Sequence, residues 1–97
     1  MAWIVLVEES EGLGRDRWRW SMTPFRAGPF ADFDGAADAA LRLTRDYRPQ
    51  HPWSERNRSA YRVSPSEYIV RVAGATADFH FRVTVAEAIE PGTGHPV

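Results

Sequence analysis

The stretch from Tyr61 to Glu87 constrains this chain more than any other. Tyr61, Val63, Tyr68, Val70, Val72, Phe79, Phe81, Val83 and Val85 alternate there with Arg62, Arg71, His80, Arg82 and Thr84. A period of two, apolar against polar, is the signature of strands buried on one face only. Ser64-Pro65-Ser66-Glu67 fits a β-turn with proline at its second position, and residues 74–78 make the next reversal. Strands are therefore expected over 58–63, 68–73 and 79–85, as an antiparallel meander. The chain upstream then serves to cover the apolar face of that meander.

Trp3 to Val7 is continuously apolar and rich in β-branched residues, which reads as a central strand covered on both faces. Residues 8–16 form a polar, glycine-bearing hairpin loop whose glutamates sit at a solvated tip. Residues 17–22 alternate again, with Trp18, Trp20 and Met22 expected in the core and Arg17, Arg19 and Ser21 pointing outward. Residues 23–31 carry Pro24, Pro29 and Gly28 and read as a loop, with Phe25 and Phe30 tucked under the sheet edge.

One helix follows. Asp32 or Asp34 suits its N-cap and the positive end of its dipole. Phe33, Ala36, Ala37, Ala40, Leu41, Leu43 and Tyr47 form an apolar stripe at helical spacing, opposite Asp34, Asp38, Arg42, Arg45 and Asp46. Asp38 and Arg42 stand at the i,i+4 spacing of a supporting ion pair. Pro49 stops the helix, because the residue before a proline avoids the helical region. Residues 48–57 form the longest irregular stretch between elements, with Trp53 in its middle as either a partner anchor or a plug for the core.

The expected fold class is α+β: a two-layer, mostly antiparallel five-stranded sheet with one helix on one face, in the order β-β-α-β-β-β. Ninety-seven residues suit a single core. We assign 1–90 to one domain and 91–97 to a flexible C-terminal tail. One helix covers only part of such a sheet, so a symmetric second copy is expected to supply more cover.

Several chemistries find no support in the residues. The absence of cysteine removes disulfides, thiolate metal sites and cysteine nucleophiles. His51, His80 and His95 are scattered, no serine sits in a nucleophile-elbow context, and Gly12-Leu13-Gly14 lacks the third glycine and helix of a phosphate loop. No cofactor, metal or catalytic residue is therefore expected. No run approaches the roughly 20 apolar residues that span a bilayer, and the leading apolar run lacks a signal pattern. A cytoplasmic protein without a membrane partner is expected.

All twelve basic residues are arginine, and the net charge is −1. If the alternation holds throughout, Arg17, Arg19, Arg62, Arg71, His80 and Arg82 leave the sheet on the side away from the helix. The strands hold few acids to pair with them, since the acids gather on the helix, the first loop and the turns. Arginine is enriched in protein interfaces. The expected function is a non-catalytic protein-interaction module, a homodimer, that contacts a protein partner or itself through these residues and Trp53. The alternative is a small nucleic-acid-binding regulator using the same arginines, with Trp18, Trp20 or Tyr61 as stacking platforms, which the net negative charge disfavours. A third reading is a small-ligand binder or enzyme with a pocket lined by Trp3, Trp18, Phe25 and Phe30.

Overall fold

The computed structural model describes residues 2–12, 18–49, 55–74 and 78–89, with side chains at all of these except 11–12 and 18–25. The element order is β1 (Ala2–Gly12), β2 (Trp18–Phe30), α1 (Phe33–Asp46), β3 (Glu55–Ser64), β4 (Glu67–Gly74) and β5 (Asp78–Ala88). The strands form one antiparallel sheet in the order β2-β1-β5-β4-β3, and α1 packs on it. The α+β two-layer arrangement is the one the alternation implies. The amino-terminal hairpin joins the meander through β1 and β5.

Register fixes which residues share a face. Val5 opposes Val85 and Val7 opposes Val83, while Val70 opposes Phe81 and Tyr68 opposes Val83. These residues and Val72 are buried against Ala36, Ala39 and Ala40 of α1. Each valine or phenylalanine removed from water in this way contributes about 1.5–3 kcal/mol. The alanines let the helix axis lie close to the sheet, and Trp3 meets Phe33 edge-on with ring centroids 5.4 Å apart. The helix stripe is rotated slightly from the expected one. Ala39 and Thr44 are buried, whereas Leu41 remains 38 % exposed.

Both ends of α1 are capped. Asp32, rather than Asp34, is the N-cap, and its Oδ1 accepts from the Gly35 amide at 2.8 Å. Tyr47 closes the other end, its amide donating to the Leu43 carbonyl at 3.0 Å. The expected Asp38–Arg42 pair forms at 2.6 Å on the solvated side.

Three expectations need correction. Residues 23–30, read as a loop, continue β2. Between the Leu6/Arg26 and Glu8/Met22 pairs β1 advances two residues and β2 four, and a second shift lies between Trp3/Phe30 and Val5/Ala27. Pro24 and Pro29 fall inside these two irregularities on an edge strand, where a missing N–H breaks no ladder bond. Glu8 and Glu9, read as loop, lie within β1, because pairing with β5 extends that strand as far as Glu9↔Phe81.

The third correction concerns β3. Arg62 opposes buried Tyr68, and Arg58 opposes buried Val72, so these arginines stand on the helix side of the sheet. Tyr61 opposes Ile69 on the other side and is 55 % exposed. The alternation is therefore reversed in β3 relative to expectation. Because side chains repeat every second residue, a strand placed one step over exchanges its whole set of faces.

The backbone at Gly28 has φ +119°, and a Cβ there would lie 3.0 Å from the Trp3 carbonyl oxygen. Gly28→Ala is expected to cost about 1–3 kcal/mol from that backbone strain. Asp32→Ala should cost about 1 kcal/mol from the lost cap. Urea unfolding monitored by circular dichroism measures both, and a Gly28→Ala midpoint equal to wild type would contradict the conformation described.

Candidate functional site

The face of the sheet away from α1 is open among the described residues. Register places Ile4 opposite Ala86, Leu6 opposite Thr84, Glu8 opposite Arg82, and Ile69 opposite both Arg82 and Tyr61. Two arginines of this face have carboxylate partners, while Arg26, in register with Leu6, is exposed on the same face and makes no ion pair among the described residues. Arg82 donates from Nε to Glu8 at 2.9 Å, its Nη2 lies 2.8 Å from the same carboxylate, and its Nη1 lies 3.8 Å from Glu67. Arg71 meets Asp78 through Nε at 3.1 Å and Nη2 at 2.5 Å. Glu8 and Asp78, expected in the first loop and a turn, stand within β1 and β5, which removes the expected shortage of acids. His80 lies between them in register with Arg71, and its amide donates to Ser10 Oγ at 3.0 Å.

Of the expected surface residues, Arg71, His80 and Arg82 thus share one face. Arg62 belongs to the opposite face, its guanidinium 5.5 Å from the centroid of the Tyr68 ring. Arg17 and Trp53 lie outside the described residues. Arg19 is paired in register with Glu11, and its side chain lies outside the described ones. Of the aromatics proposed to line a pocket, Trp3 and Phe30 pack against the core, while the side chains of Trp18 and Phe25 lie outside the described ones.

Residue-by-residue sequence reading did not single out Arg58. Its guanidinium lies 5.5 Å over the Phe81 ring. All five of its N–H groups are used. Nε and Nη2 donate to the two oxygens of Glu55 at 2.7 and 2.6 Å. Nη1 reaches the carbonyls of Thr44 at 3.0 Å and Arg45 at 3.2 Å, and Nη2 that of Tyr47 at 3.0 Å. A single planar fork thereby satisfies carbonyls that the helix end leaves without intrahelical donors. Next to it, the Tyr47 ring packs 5.0 Å from Phe81 and its hydroxyl donates to Glu9 at 2.6 Å. The only sequence signal for this clamp is an arginine following a glutamate at i+3, shortly after a helix stop.

Around the clamp, α1 and β3 border two depressions. One, of about 160 Å³, is lined by Leu41, Thr44, Ala60, Tyr61, Arg62 and Tyr68. The other, of about 460 Å³, is lined by Arg45, Asp46, Arg48, Glu55, Arg56 and Arg58. Among the described residues no three His, Asp or Glu side chains gather as metal ligands, and no helix is long and apolar enough to cross a membrane. Comparison with protein families, curated proteins and solved structures finds no match to this chain.

The Glu55 carboxyl titrates below the ordinary carboxylate range. The Arg58 hydrogen bonds are the main cause, the Arg58 and Arg48 charges add to it, and partial burial opposes it. A depressed folded-state value means that its stabilisation is present at neutral pH and lost as pH falls through that value. Urea midpoints should therefore fall with acidification more steeply for wild type than for Glu55→Gln. Arg58→Ala should cost about 2–3 kcal/mol, with Arg58→Lys recovering only part of it, because an ammonium cannot span both carboxylate oxygens and the helix carbonyls. Equal stability of Arg58→Lys and wild type would refute the clamp.

Proposed function

We propose that this chain is a non-catalytic protein-interaction module that works as a homodimer through the open face of its sheet. The observation that carries the reading is the pairing of Arg71 and Arg82 on this face, with exposed Arg26 at its β2 edge the one described arginine there outside an ion pair. Arg82 sits with Glu8 and Glu67, and Arg71 with Asp78, so covering these arginines leaves no orphan cation. Around the pairs lie half-buried Ile4, Leu6, Ile69 and Ala86, which offer apolar area to a partner. The described residues extend 45 × 30 × 21 Å, so the sheet face is broad enough for the roughly 800 Å² that each side of a standard interface buries. A twofold copy presents the same neutral, mixed surface, and twofold dimers are the commonest assemblies. The same pairing weakens the nucleic-acid reading for this face, because paired guanidinium groups release few counterions from phosphates.

Sedimentation equilibrium over micromolar to millimolar concentrations should give a mass twice the 11.0 kDa of the chain. Ile69→Asp and Thr84→Arg, both on the open face, should each return the monomer with an unchanged circular dichroism spectrum. A wild-type monomer at every concentration would end the dimer reading. A dimer indifferent to both substitutions would move the contact to another surface.

A further inference from the structure

We propose that the groove between α1 and β3 docks an acidic peptide segment of a partner protein. An apolar side chain of that peptide sits against Leu41 and Ala60, and its carboxylates sit on Arg45, Arg48 and Arg56. This surface lies on the helix side of the sheet, and among its lining residues Tyr61, at the edge, belongs to the open face.

Three observations lead there. First, α1 packs across β5, β1, β2 and β4, which leaves the helix side of the edge strand β3 as the wall of a groove. Second, the groove has two chemical halves in sequence along the helix. Leu41, 38 % exposed, borders the smaller depression with Ala60 and Tyr61, and Arg62 lies there over the ring of buried Tyr68. One turn later, Arg45 and Arg48 border the larger one, with Arg56 on the strand opposite. Third, the cations of the larger half have no direct partner, although the Arg48 charge is felt by Glu55. Arg45, Arg48 and Arg56 are exposed and make no ion pair or hydrogen bond among the described residues through their side chains.

Arginines at a helix C-terminus ordinarily need no ligand, since they complement the dipole. Here that role is filled by Arg58, which bonds the Thr44, Arg45 and Tyr47 carbonyls directly. Arg58 also occupies both oxygens of Glu55, which feels the Arg48 charge as well, and Asp46 acts on Arg58, so two carboxylates stand among four guanidinium groups in the depression. A planar fork matches a carboxylate with two parallel hydrogen bonds. The apolar contact at Leu41 lies one helical turn from the charge at Arg45, which suits a peptide with a hydrophobic anchor beside an acidic run. A nucleic-acid backbone would use the cations but leave the Leu41 notch empty, and the chain's net charge of −1 works against long-range attraction of a polyanion.

The test is fluorescence anisotropy of the full chain with labelled probes. These are a peptide with one leucine followed by a run of glutamates, its counterpart with glutamine for glutamate, and a single-stranded RNA oligonucleotide. The glutamate peptide is expected to bind and the glutamine peptide not, with affinity falling as salt rises. Arg48→Glu and Arg56→Glu, both on exposed side chains, should each weaken binding by about tenfold or more. Leu41→Asp should weaken it while Leu41→Met retains it, and Ile69→Asp on the dimer face should leave it unchanged. Equal binding of both peptides, or none, overturns the proposal. So does RNA binding that is tighter than peptide binding and lost with the same arginines, since the groove would then be a phosphate surface.

Discussion

A single helix of 14 residues has to serve a sheet of five strands. At 1.5 Å per residue and roughly 10 Å in width, it covers only part of a sheet whose strands stand about 4.8 Å apart. The chain concentrates its burial where that cover exists. Val5, Val7, Val70, Val72, Phe81, Val83 and the alanines of α1 form the core over β1, β5 and β4. What lies beyond the helix follows other rules. β3 is left at an edge, and the far face of the sheet is left without a second layer among the described residues.

The edge strand meets this situation with arginine. Arg58 and Arg62 point to the helix side, where a strand under full cover would carry valines, and each lays its guanidinium near an aromatic ring of the core. The side chain suits that position because its stem is apolar while its polar head is satisfied, by solvent at exposed Arg62 and by protein acceptors at Arg58. Arg58 goes further and ties β3 to the last turn of α1 through backbone carbonyls, so strand and helix hold each other in place. The groove between them is the other consequence of limited cover. Its two halves differ in chemistry because Leu41 and Arg45 occupy successive turns of the same helix.

On the open face, cross-strand register does for charge what it does for apolar contact under the helix. Glu8 and Arg82 are direct partners across β1 and β5, and Arg71 reaches Asp78 diagonally across β4 and β5. Partly exposed pairs of this kind contribute modestly to stability, typically below about 1 kcal/mol each. Their larger effect is on what the face can accept. A surface with most of its charges already matched suits a protein partner better than a polyanion.

The alternation from Tyr68 to Val85 determined the meander, and the apolar run Trp3–Val7 determined an interior strand. Among the described residues that strand is covered by the helix on one face only, and not on both as its continuous apolar run implies. The spacing of Phe33, Ala36, Ala40 and Leu43, with an aspartate before it and a proline after, determined the one helix. Those signals are local, because periodicity and capping depend on neighbours in the chain. Tertiary structure decided the rest. It set the face of β3, since which side of an edge strand is inward depends on where the helix stops covering the sheet, not on the strand's own pattern. It carried β2 through Pro24 and Pro29, because irregularities at an edge need no ladder partner outside. Tertiary structure also gave Arg71 and Arg82 their carboxylates and Arg58 its helix end. These partners are distant in sequence or on another element, and only register and packing bring a particular acid or carbonyl within reach of a particular guanidinium.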